Sequence, residues 1–190
     1  MRKKKSLKKL TELFQEPEYD IWFEDECHFQ QHGSRCAIWI PPEEKDPIVL
    51  HAPTRQSKSV FGAVNSRDGR FLCQFSDVFN ATTFKEFIEE LILCRRNEKV
   101  LLLVLDNSRY HHAKMLNPWL EEHKNEIQLL FLPPYSPDLN PIERVWKLTR
   151  KLCTHNRYFP CLEDLFTIIY NKFEEWAKPN EQLTKLCIIN

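Results

Sequence analysis

Residues 100–106 read Val-Leu-Leu-Leu-Val-Leu-Asp, an uninterrupted run of six aliphatic residues that ends in a carboxylate. A strand without polar alternation is buried on both faces, which is typical of the middle of a sheet covered by helices. The run is far shorter than the ~20 apolar residues that a membrane-spanning helix needs. We therefore interpret Val100–Leu105 as a central strand that delivers Asp106 to one edge of a sheet.

Strand-like and helix-like patterns flank this run in a definite order. A hairpin-rich first half is followed by units in which strands and helices alternate. This order favours an α/β fold, a mixed sheet flanked by helices on both faces. The predicted strands are Tyr19–Phe23, Arg35–Ile40, Ser59–Val64, Arg70–Phe75 and Ile127–Leu132; the predicted helices are one capped by Thr82 or Thr83 and ending near Cys94, one over 112–122 disturbed at Pro118, one over 140–153, and Leu162–Trp176.

The charge of the chain is balanced overall and uneven locally. Its 190 residues, the length of one domain, carry 27 basic and 27 acidic side chains. Six of the cations and none of the acids lie in residues 1–9, so the rest holds 21 cations against 27 acids. A basic tail before an acidic body predicts contact with a polyanion. A solvated start of the chain is the alternative.

The seven cysteines are scattered without a Cys-x-x-Cys pair, and no secretory segment begins the chain. This pattern predicts reduced thiols, and no membrane partner is expected. Cys27, His28, His32 and Cys36 could in principle gather around zinc. However, Cys27 and His28 are adjacent and would point to opposite faces of an extended segment, so we disfavour a zinc site.

Two aspartates follow predicted strands. Asp25 comes after Tyr19–Phe23, and Asp106 comes after the aliphatic run. If the two strands are neighbours, the carboxylates lie side by side and repel each other by roughly 4 kcal/mol at ~4 Å and an effective dielectric of 20. Such a pair predicts a divalent cation that offsets the repulsion. The alternative is that each acid begins a turn, for Asp106 an Asx motif with Asn107.

A third acid stands at the clearest helix start in the sequence. Asn140 fits an N-cap, Pro141 the first helical position, and Glu143 the residue three after the cap, so a capping box is one explanation of Glu143. The helix that follows carries a basic face opposite an apolar stripe. Because this face begins at Glu143, we predict that it contacts DNA phosphates rather than only solvent. The basic residues are Arg144, Lys147, Arg150 and Lys151, and the stripe is Val145, Leu148 and Leu152.

Three stretches in order carry a family resemblance. They read Trp-Phe-Glu-Asp-Glu-Cys-His-Phe at 22–29, Leu-Asp-Asn-Ser-Arg-Tyr-His at 105–111, and Tyr-Ser-Pro-Asp-Leu-Asn-Pro-Ile-Glu-Arg-Val-Trp at 135–146. Together they resemble the catalytic domain of the mariner-like superfamily of DDE transposases, which includes bacterial insertion-sequence transposases. The resemblance runs from about Tyr19 to Trp176 and implies a ribonuclease-H-like fold.

The resemblance also implies the site. The catalytic and metal-binding triad falls on Asp25, Asp106 and Glu143, with 36 residues between the last two, and would hold two Mg²⁺ or Mn²⁺ ions for phosphoryl transfer. Glu24 and Glu26 flank the first acid, and Asp138 competes for the third position. Asn107 and His111 match positions near the metals, where they would position substrate or a metal-bound water; simple packing is the alternative for His111.

The function implied is cleavage of DNA at transposon ends and joining of the 3′-hydroxyl to target DNA, at a TA dinucleotide. The expected partners are DNA, further copies in a homodimer or higher assembly, and a separate end-binding helix-turn-helix polypeptide. We expect a tail over 1–18 and a catalytic domain over 19–190, without the helix-turn-helix domain of full-length relatives. The expected location is the bacterial cytoplasm at the nucleoid, or a nucleus.

Two alternatives stay open. One is a plain ribonuclease-H-type nuclease, which would lack the Ser-Pro-Asp-Leu-Asn-Pro-Ile-Glu stretch. The other is a catalytically idle or partner-dependent remnant that binds DNA or another transposase subunit. The intact acids Asp25, Asp106 and Glu143 argue against decay of the site, whereas the missing end-reading domain argues for dependence on a partner.

Overall fold

The computed structural model describes residues 12–43, 48, 50, 52–96 and 98–188. The cationic residues 1–9 of the predicted tail lie outside them. One five-stranded sheet forms the centre, in the order β3-β2-β1-β4-β5. Within the described residues, no helix is both long and apolar enough to cross a bilayer. The strands are β1 (Tyr19–Gln30), β2 (Ser57–Asn65), β3 (Phe71–Phe75), β4 (Val100–Leu105) and β5 (Ile127–Phe131).

The sheet is mixed, as predicted. β1 is antiparallel to β2 and parallel to β4. The β2–β3 pair is the expected antiparallel hairpin, and β5 extends the parallel half beside β4. The aliphatic run is therefore an inner strand, and five of its six residues are buried.

Helices cover both faces of this sheet, which confirms the predicted architecture. Five of them are α1 (Ala81–Leu93), α2 (Asn117–Glu122), α3 (Ile142–Thr149), α4 (Leu162–Trp176) and α5 (Glu181–Leu186). Side chains of β1 alternate between the faces: Trp22 packs into a core with α1 and α2, whereas Phe23 packs into a core with α3, α4 and α5. This is the period-2 alternation of a strand buried on both sides.

The first strand is longer than predicted. β1 continues beyond Phe23 to Gln30, because β2 pairs with it as far as the Gln30–Ser57 pair. The prediction that Asp25 ends the strand was therefore wrong. Charged residues disfavour a strand locally, but the backbone hydrogen bonds of β2 keep this segment extended.

The predicted strand Arg35–Ile40 was wrong. Its residues carry no regular structure, and only an isolated bridge between Ser34 and His155 precedes them. The Asn156 side chain bonds both the N–H and the carbonyl of Cys36, at 2.9 and 3.0 Å. A β-prone sequence without a neighbouring strand edge has no ladder to join, and Trp39 is 90% exposed.

Two helix starts also differ from prediction. Asn80 caps α1 by accepting the N–H groups of Thr82 and Thr83, and the Thr83 hydroxyl completes a capping box. Pro118 stands at the start of α2 rather than disturbing a longer helix, because two short 3₁₀ turns over 109–116 replace the first part of the predicted helix. Proline is tolerated in a first helical turn, where its missing N–H has no partner to lose.

The helix after residue 140 ends as predicted, but its buried stripe shifts. α3 passes into one turn of π-helix, Arg150–Thr154. The wider turn changes the angular phase of the residues, so Cys153 is buried while Leu152 is 39% exposed. The prediction that Leu152 belongs to the buried stripe was wrong; Val145 is fully buried and Leu148 partly so.

We expect Gly62→Ala to destabilise the fold through Trp146. A β-carbon at Gly62 would lie 2.8 Å from the Phe71 ring and closer still to the Trp146 ring, and overpacking of this kind costs about 1–3 kcal/mol. The free energy of unfolding in urea measures the loss, with Ser57→Ala at the start of β2 as the control. An unchanged value for Gly62→Ala would show that Trp146 is not packed against β2.

Candidate active site

Strand register brings the first two acids together. β1 and β4 are parallel neighbours, and Phe23 pairs with Val104. Two residues further along, Asp25 and Asp106 are level with each other. The predicted neighbourhood of the two strands is therefore confirmed, although Asp25 lies inside its strand and Asp106 just beyond the end of β4.

Glu143 reaches the same place from α3. The Trp146 indole N–H donates to the Asp25 Oδ2 at 3.1 Å, and the Asn140 amide donates to the Glu24 carbonyl at 2.8 Å. Both bonds fasten the start of α3 to β1. The capping box considered as the alternative explanation of Glu143 does not form. The assignment of Asn140 as the N-cap was wrong, because Pro141 is the N-cap residue and no side chain caps the helix. The carboxylate of Glu143 is therefore free of capping.

The three acids line one open cleft of about 450 Å³. Its other wall is the loop after β5, in which Tyr135 has a positive φ of 56° and is 99% exposed. Asn140 also lines the cleft, and its buried Oδ1 has no hydrogen-bond donor in the described part of the chain. The cleft is thus walled by oxygen acceptors on one side and by a proline-rich loop on the other.

Asp25 is the acid of this cleft whose ionised form is disfavoured. Its pKa is raised to about 7, and burial is the largest cause. The negative charges of Glu143 and Asp106 add to the rise, whereas hydrogen bonds from the Glu26 backbone and Trp146 oppose it. In the described residues, no lysine or arginine forms an ion pair with any of the three carboxylates. A site with this much uncompensated negative charge is suited to divalent cations.

Asp106 has the opposite electrostatics. A hydrogen bond from His111 is the largest cause that lowers its pKa, to about 2, and the backbone N–H of Ser108 adds to it against partial burial. The Ser108 N–H lies 2.7 Å from the Asp106 Oδ1. The Asx-type turn considered from the sequence is therefore present, in the same residue that faces the cleft.

His111 is buried directly behind Asp106. Its Nδ1 lies 3.3 Å from the Asp106 Oδ1, and its Nε2 lies 3.7 Å from Glu26 and 3.8 Å from Glu24. Burial, aided by neighbouring acids, raises the pKa of Glu26 to about 8 and that of Glu24 well above its usual value. Sequence reasoning missed these two glutamates as partners of His111 because it ended the strand at Phe23. Period-2 alternation would have placed both on the face opposite Asp25.

The family is decided by a match over most of the chain. The model of the DDE superfamily endonucleases matches residues 20–166. The chain belongs to this family. The match contains all three acids that line the cleft.

Two curated relatives of this DDE endonuclease domain come from mobile elements. An insertion element IS630 protein of 39 kDa from Shigella sonnei, uncharacterized, is 25% identical over 140 residues, which cover 73% of this chain and 40% of the relative. The Tc3 transposase of Caenorhabditis elegans is 27% identical over 173 residues, 87% of this chain and 51% of the relative. The chain thus spans about half the length of these relatives or less.

Solved structures confirm the ribonuclease-H-like fold. The Mos1 transposase paired-end complex with the left transposon end has a TM-score of 0.73 at 16% identity over 98% of this chain and 56% of that one. A Mos1 mariner paired-end complex with Mn gives 0.72 at 15% identity over 98% and 57%. At such identities the likeness shows the fold.

The DDE domain uses Asn107 structurally. Its side-chain amide donates to the carbonyl of Leu132, which ties the end of β4 to the end of β5. Asn107 still lines the cleft. Its predicted role in positioning substrate stays a prediction.

Two residues of the predicted basic face are exposed, and the other two form hydrogen bonds within the protein. Lys147 and Lys151 are exposed. Arg144 donates to the carbonyls of Leu186 and Ile188, at 2.8 and 2.7 Å. Arg150 donates to the Cys27 thiol at 3.0 Å and lies over the Phe29 ring. Neither lysine bonds another of the described residues, so both are available to a phosphate backbone.

The four residues considered for a zinc site have different surroundings and different hydrogen-bond partners. Cys27 is buried in the core, whereas His28 is exposed and bonds Ser59 at 2.8 Å. The Nδ1 of His32 lies 2.7 Å from its neighbour's carbonyl, and Cys36 is exposed. Among the described residues, the group whose geometry could hold a metal ion is Glu24, Glu26 and His111.

We expect Asp25→Asn to stabilise the metal-free protein at about pH 8 and to have little effect near pH 4. The folded-state pKa of about 7 exceeds the ordinary 3.8, so the folded state binds more protons than the unfolded one, and the penalty of the charge grows as pH rises towards 7. The gain should be of the order of 4 kcal/mol at pH 8, because the pKa rises from 3.8 to about 7 and one pKa unit corresponds to about 1.4 kcal/mol.

Thermal unfolding at both pH values measures this effect, with the exposed Asp77→Asn as control. The asparagine keeps an acceptor for the Trp146 N–H. A gain in stability that is equal at both pH values would show that the ionised Asp25 carboxylate is not what destabilises the protein.

Proposed function

We propose that this chain is the catalytic domain of a transposase, which cleaves DNA at transposon ends and joins the freed 3′-hydroxyl to target DNA. The observation that carries the proposal is the convergence of Asp25, Asp106 and Glu143 on one cleft. Membership of the DDE endonuclease family and the mobile-element relatives support it. The TA target implied by the sequence resemblance is part of the same proposal.

The cleft fits divalent cations. Its donors are carboxylate oxygens, the ligands that Mg²⁺ and Mn²⁺ prefer. Burial and then the negative charges of Glu143 and Asp106 raise the pKa of Asp25, and a cation would neutralise these charges. Asp25, Asp106 and Glu143 would hold two such ions. Once bound, they supply positive charge that activates the attacking oxygen and stabilises the leaving oxygen.

The protein's own contribution is to hold these carboxylates in place before substrate arrives. Trp146 fixes the Oδ2 of Asp25, and the Ser108 N–H donates to the Oδ1 of Asp106. The His111 Nδ1 lies 3.3 Å from this Oδ1 and 3.4 Å from the Asp106 backbone carbonyl. The sheet fixes the spacing of the two strands. Groups that are already oriented need no reorganisation during the reaction.

DNA would approach along α3. Lys147 and Lys151 are exposed on the helix that begins beside Glu143. Contacts of lysine with phosphates position a duplex without reading its sequence. We propose that these two lysines guide the backbone towards the cleft, while Arg144 and Arg150 mainly hold the local fold.

Assembly and end recognition extend the proposal. The structural neighbour described as a paired-end complex holds a transposon end, and by analogy we propose that this chain works on paired ends as a homodimer or higher assembly. A separate end-binding helix-turn-helix polypeptide would supply end recognition. Such a complex would act on DNA in the bacterial cytoplasm or in a nucleus.

Removal of either carboxylate that faces Asp25 tests the proposed chemistry. We expect Asp106→Asn and Glu143→Gln to lower Mn²⁺-dependent nicking and strand transfer by more than about 100-fold, since loss of an outer partner alone typically costs about 10–100-fold. Labelled transposon-end duplex is the substrate, with and without a supplied end-binding polypeptide. Each variant's thermal unfolding confirms that it is folded.

Asp138→Asn is the matched control, because Asp138 competes with Glu143 in the sequence. It should retain wild-type activity. If the wild type binds DNA under all conditions but neither cuts nor joins it, the idle-remnant alternative replaces the proposal. Metal-dependent cutting without strand transfer would favour the plain nuclease.

Replacement of the exposed lysines tests the DNA path. We expect Lys147→Ala and Lys151→Ala each to weaken DNA binding and to lower the slope of log affinity against log salt by about 1, since each lost phosphate contact releases fewer counterions. Fluorescence anisotropy at several salt concentrations measures the slope. Lys124→Ala, whose lysine pairs with Glu121, should leave it unchanged; equal effects at all three sites would contradict a defined path.

A further inference from the structure

His111 is enclosed on every side by groups that restrict its ring. The rings of Phe84 and Tyr110 lie 4.4 Å from it, centroid to centroid. Glu24 and Glu26 lie behind Nε2, at 3.8 and 3.7 Å. Asp106 lies in front of Nδ1. The His111 side chain is only 1% exposed, so it has no access to bulk solvent.

The glutamates behind the ring are not explained by packing. Both carboxylate oxygens of Glu24, the Oε1 of Glu26 and the Nε2 of His111 are buried without a hydrogen-bond partner among the described residues. A buried polar atom without a partner costs about 1–3 kcal/mol. An apolar strand face against α1 would avoid this cost, so the polar groups point to a role at the site beside them.

The donors on Asp106 select one of its two oxygens. The Ser108 N–H donates to Oδ1 at 2.7 Å. The His111 Nδ1 lies between two acceptors of Asp106, 3.3 Å from Oδ1 and 3.4 Å from the backbone carbonyl. Asp106 lies beyond the end of β4, and its side chain is 52% exposed. Without these donors, nothing in its own strand would fix the rotation of the carboxylate. With Oδ1 held, Oδ2 is the oxygen left for the cleft.

We propose that Glu24 and Glu26 confine the His111 ring so that its Nδ1–H stays directed at Asp106, which makes His111 a positioning residue for this carboxylate. The inference rests on the proposed function, in which Asp106 holds a divalent cation. On this proposal, Glu24 and Glu26 on the even-numbered face of β1 support the carboxylate of Asp106 through His111. Asp25, on the odd-numbered face, is itself one of the acids of the cleft. Outer partners of this kind typically change metal affinity by about 10–100-fold.

Direct titration with Mn²⁺ on the full chain without DNA tests the inference, with free Mn²⁺ measured by electron paramagnetic resonance. We expect His111→Ala to weaken Mn²⁺ binding by about 10–100-fold. His111→Asn should restore most of the affinity, because its amide nitrogen occupies the place of Nδ1. Glu26→Leu should weaken binding, and Glu26→Gln, which keeps the shape and a polar contact, should lie close to wild type.

The neighbouring histidine is the matched control. His112 is exposed and stacks on Phe131, with ring centroids 4.2 Å apart, so His112→Ala should bind Mn²⁺ like the wild type. Unfolding midpoints identify any variant that fails to fold, and the His111→Asn and Glu26→Gln pair keeps the test decisive if His111→Ala is unstable.

A double variant shows whether His111 acts through Asp106. In the Asp106→Asn background, His111→Ala should cause no further loss of Mn²⁺ affinity, because the carboxylate it positions is gone. Additive losses in the double variant would overturn the inference. So would Mn²⁺ that stays bound when Asp25, Asp106 and Glu143 are all replaced by amides and is released by Glu26→Gln, since the cluster would then be a metal site itself.

The Mn²⁺ titration distinguishes the proposed metal site from the proposed positioning role of His111. Wild-type protein that binds no Mn²⁺, or binds it equally after Asp106→Asn, would refute the proposed metal site. Wild-type protein whose Mn²⁺ affinity depends on Asp106 but not on His111 would refute the positioning role alone.

Discussion

The parallel pairing of β1 with β4 is the constraint on which the rest of the structure depends. Its register sets Asp25 level with Asp106, so backbone hydrogen bonds impose a separation that the charges themselves oppose. Burial and the charge of Glu143 are the main causes that raise the pKa of Asp25 to about 7, and the charge of Asp106 adds to them. This cleft lowers the free energy of unfolding, and the packing of the cores on both sides of the sheet has to offset that cost.

The two faces of β1 have different neighbours around Asp25 and Asp106. On the odd-numbered face, Asp25 meets α3, where Trp146 bonds its carboxylate and packs against Phe71 and Phe29. On the even-numbered face, Glu24 and Glu26 meet His111. One strand therefore carries an acid of the cleft and, one residue away on either side, glutamates that contact the histidine beside the other acid. The opposite end of the strand is purely structural: buried Asp20 accepts hydrogen bonds from Trp22 and Asn65.

Local pattern predicted most of the fold and misled where long-range pairing decided the outcome. The aliphatic run, the β2–β3 hairpin and α4 appear where the sequence indicates, because hydrophobic periodicity reports burial directly. Arg35–Ile40 has the composition of a strand but no strand edge beside it, and the acidic half of β1 lacks that composition yet pairs with β2. The exposed Leu152 reflects a π-turn that a regular helical period cannot anticipate.

The sequence by itself determined the fold class, the family and the three acids, because aliphatic periodicity and the stretches around Asp25, Asp106 and Glu143 are local features of the chain. Only the tertiary structure decided how these acids differ. Asp25 is buried beside Glu143, whereas Asp106 is held by His111 and Ser108, and the pKa of a carboxyl group depends on burial and on neighbours that are distant in sequence. For the same reason, only the folded chain separates Lys147 and Lys151 from Arg144 and Arg150, whose guanidinium groups are already bound within the protein.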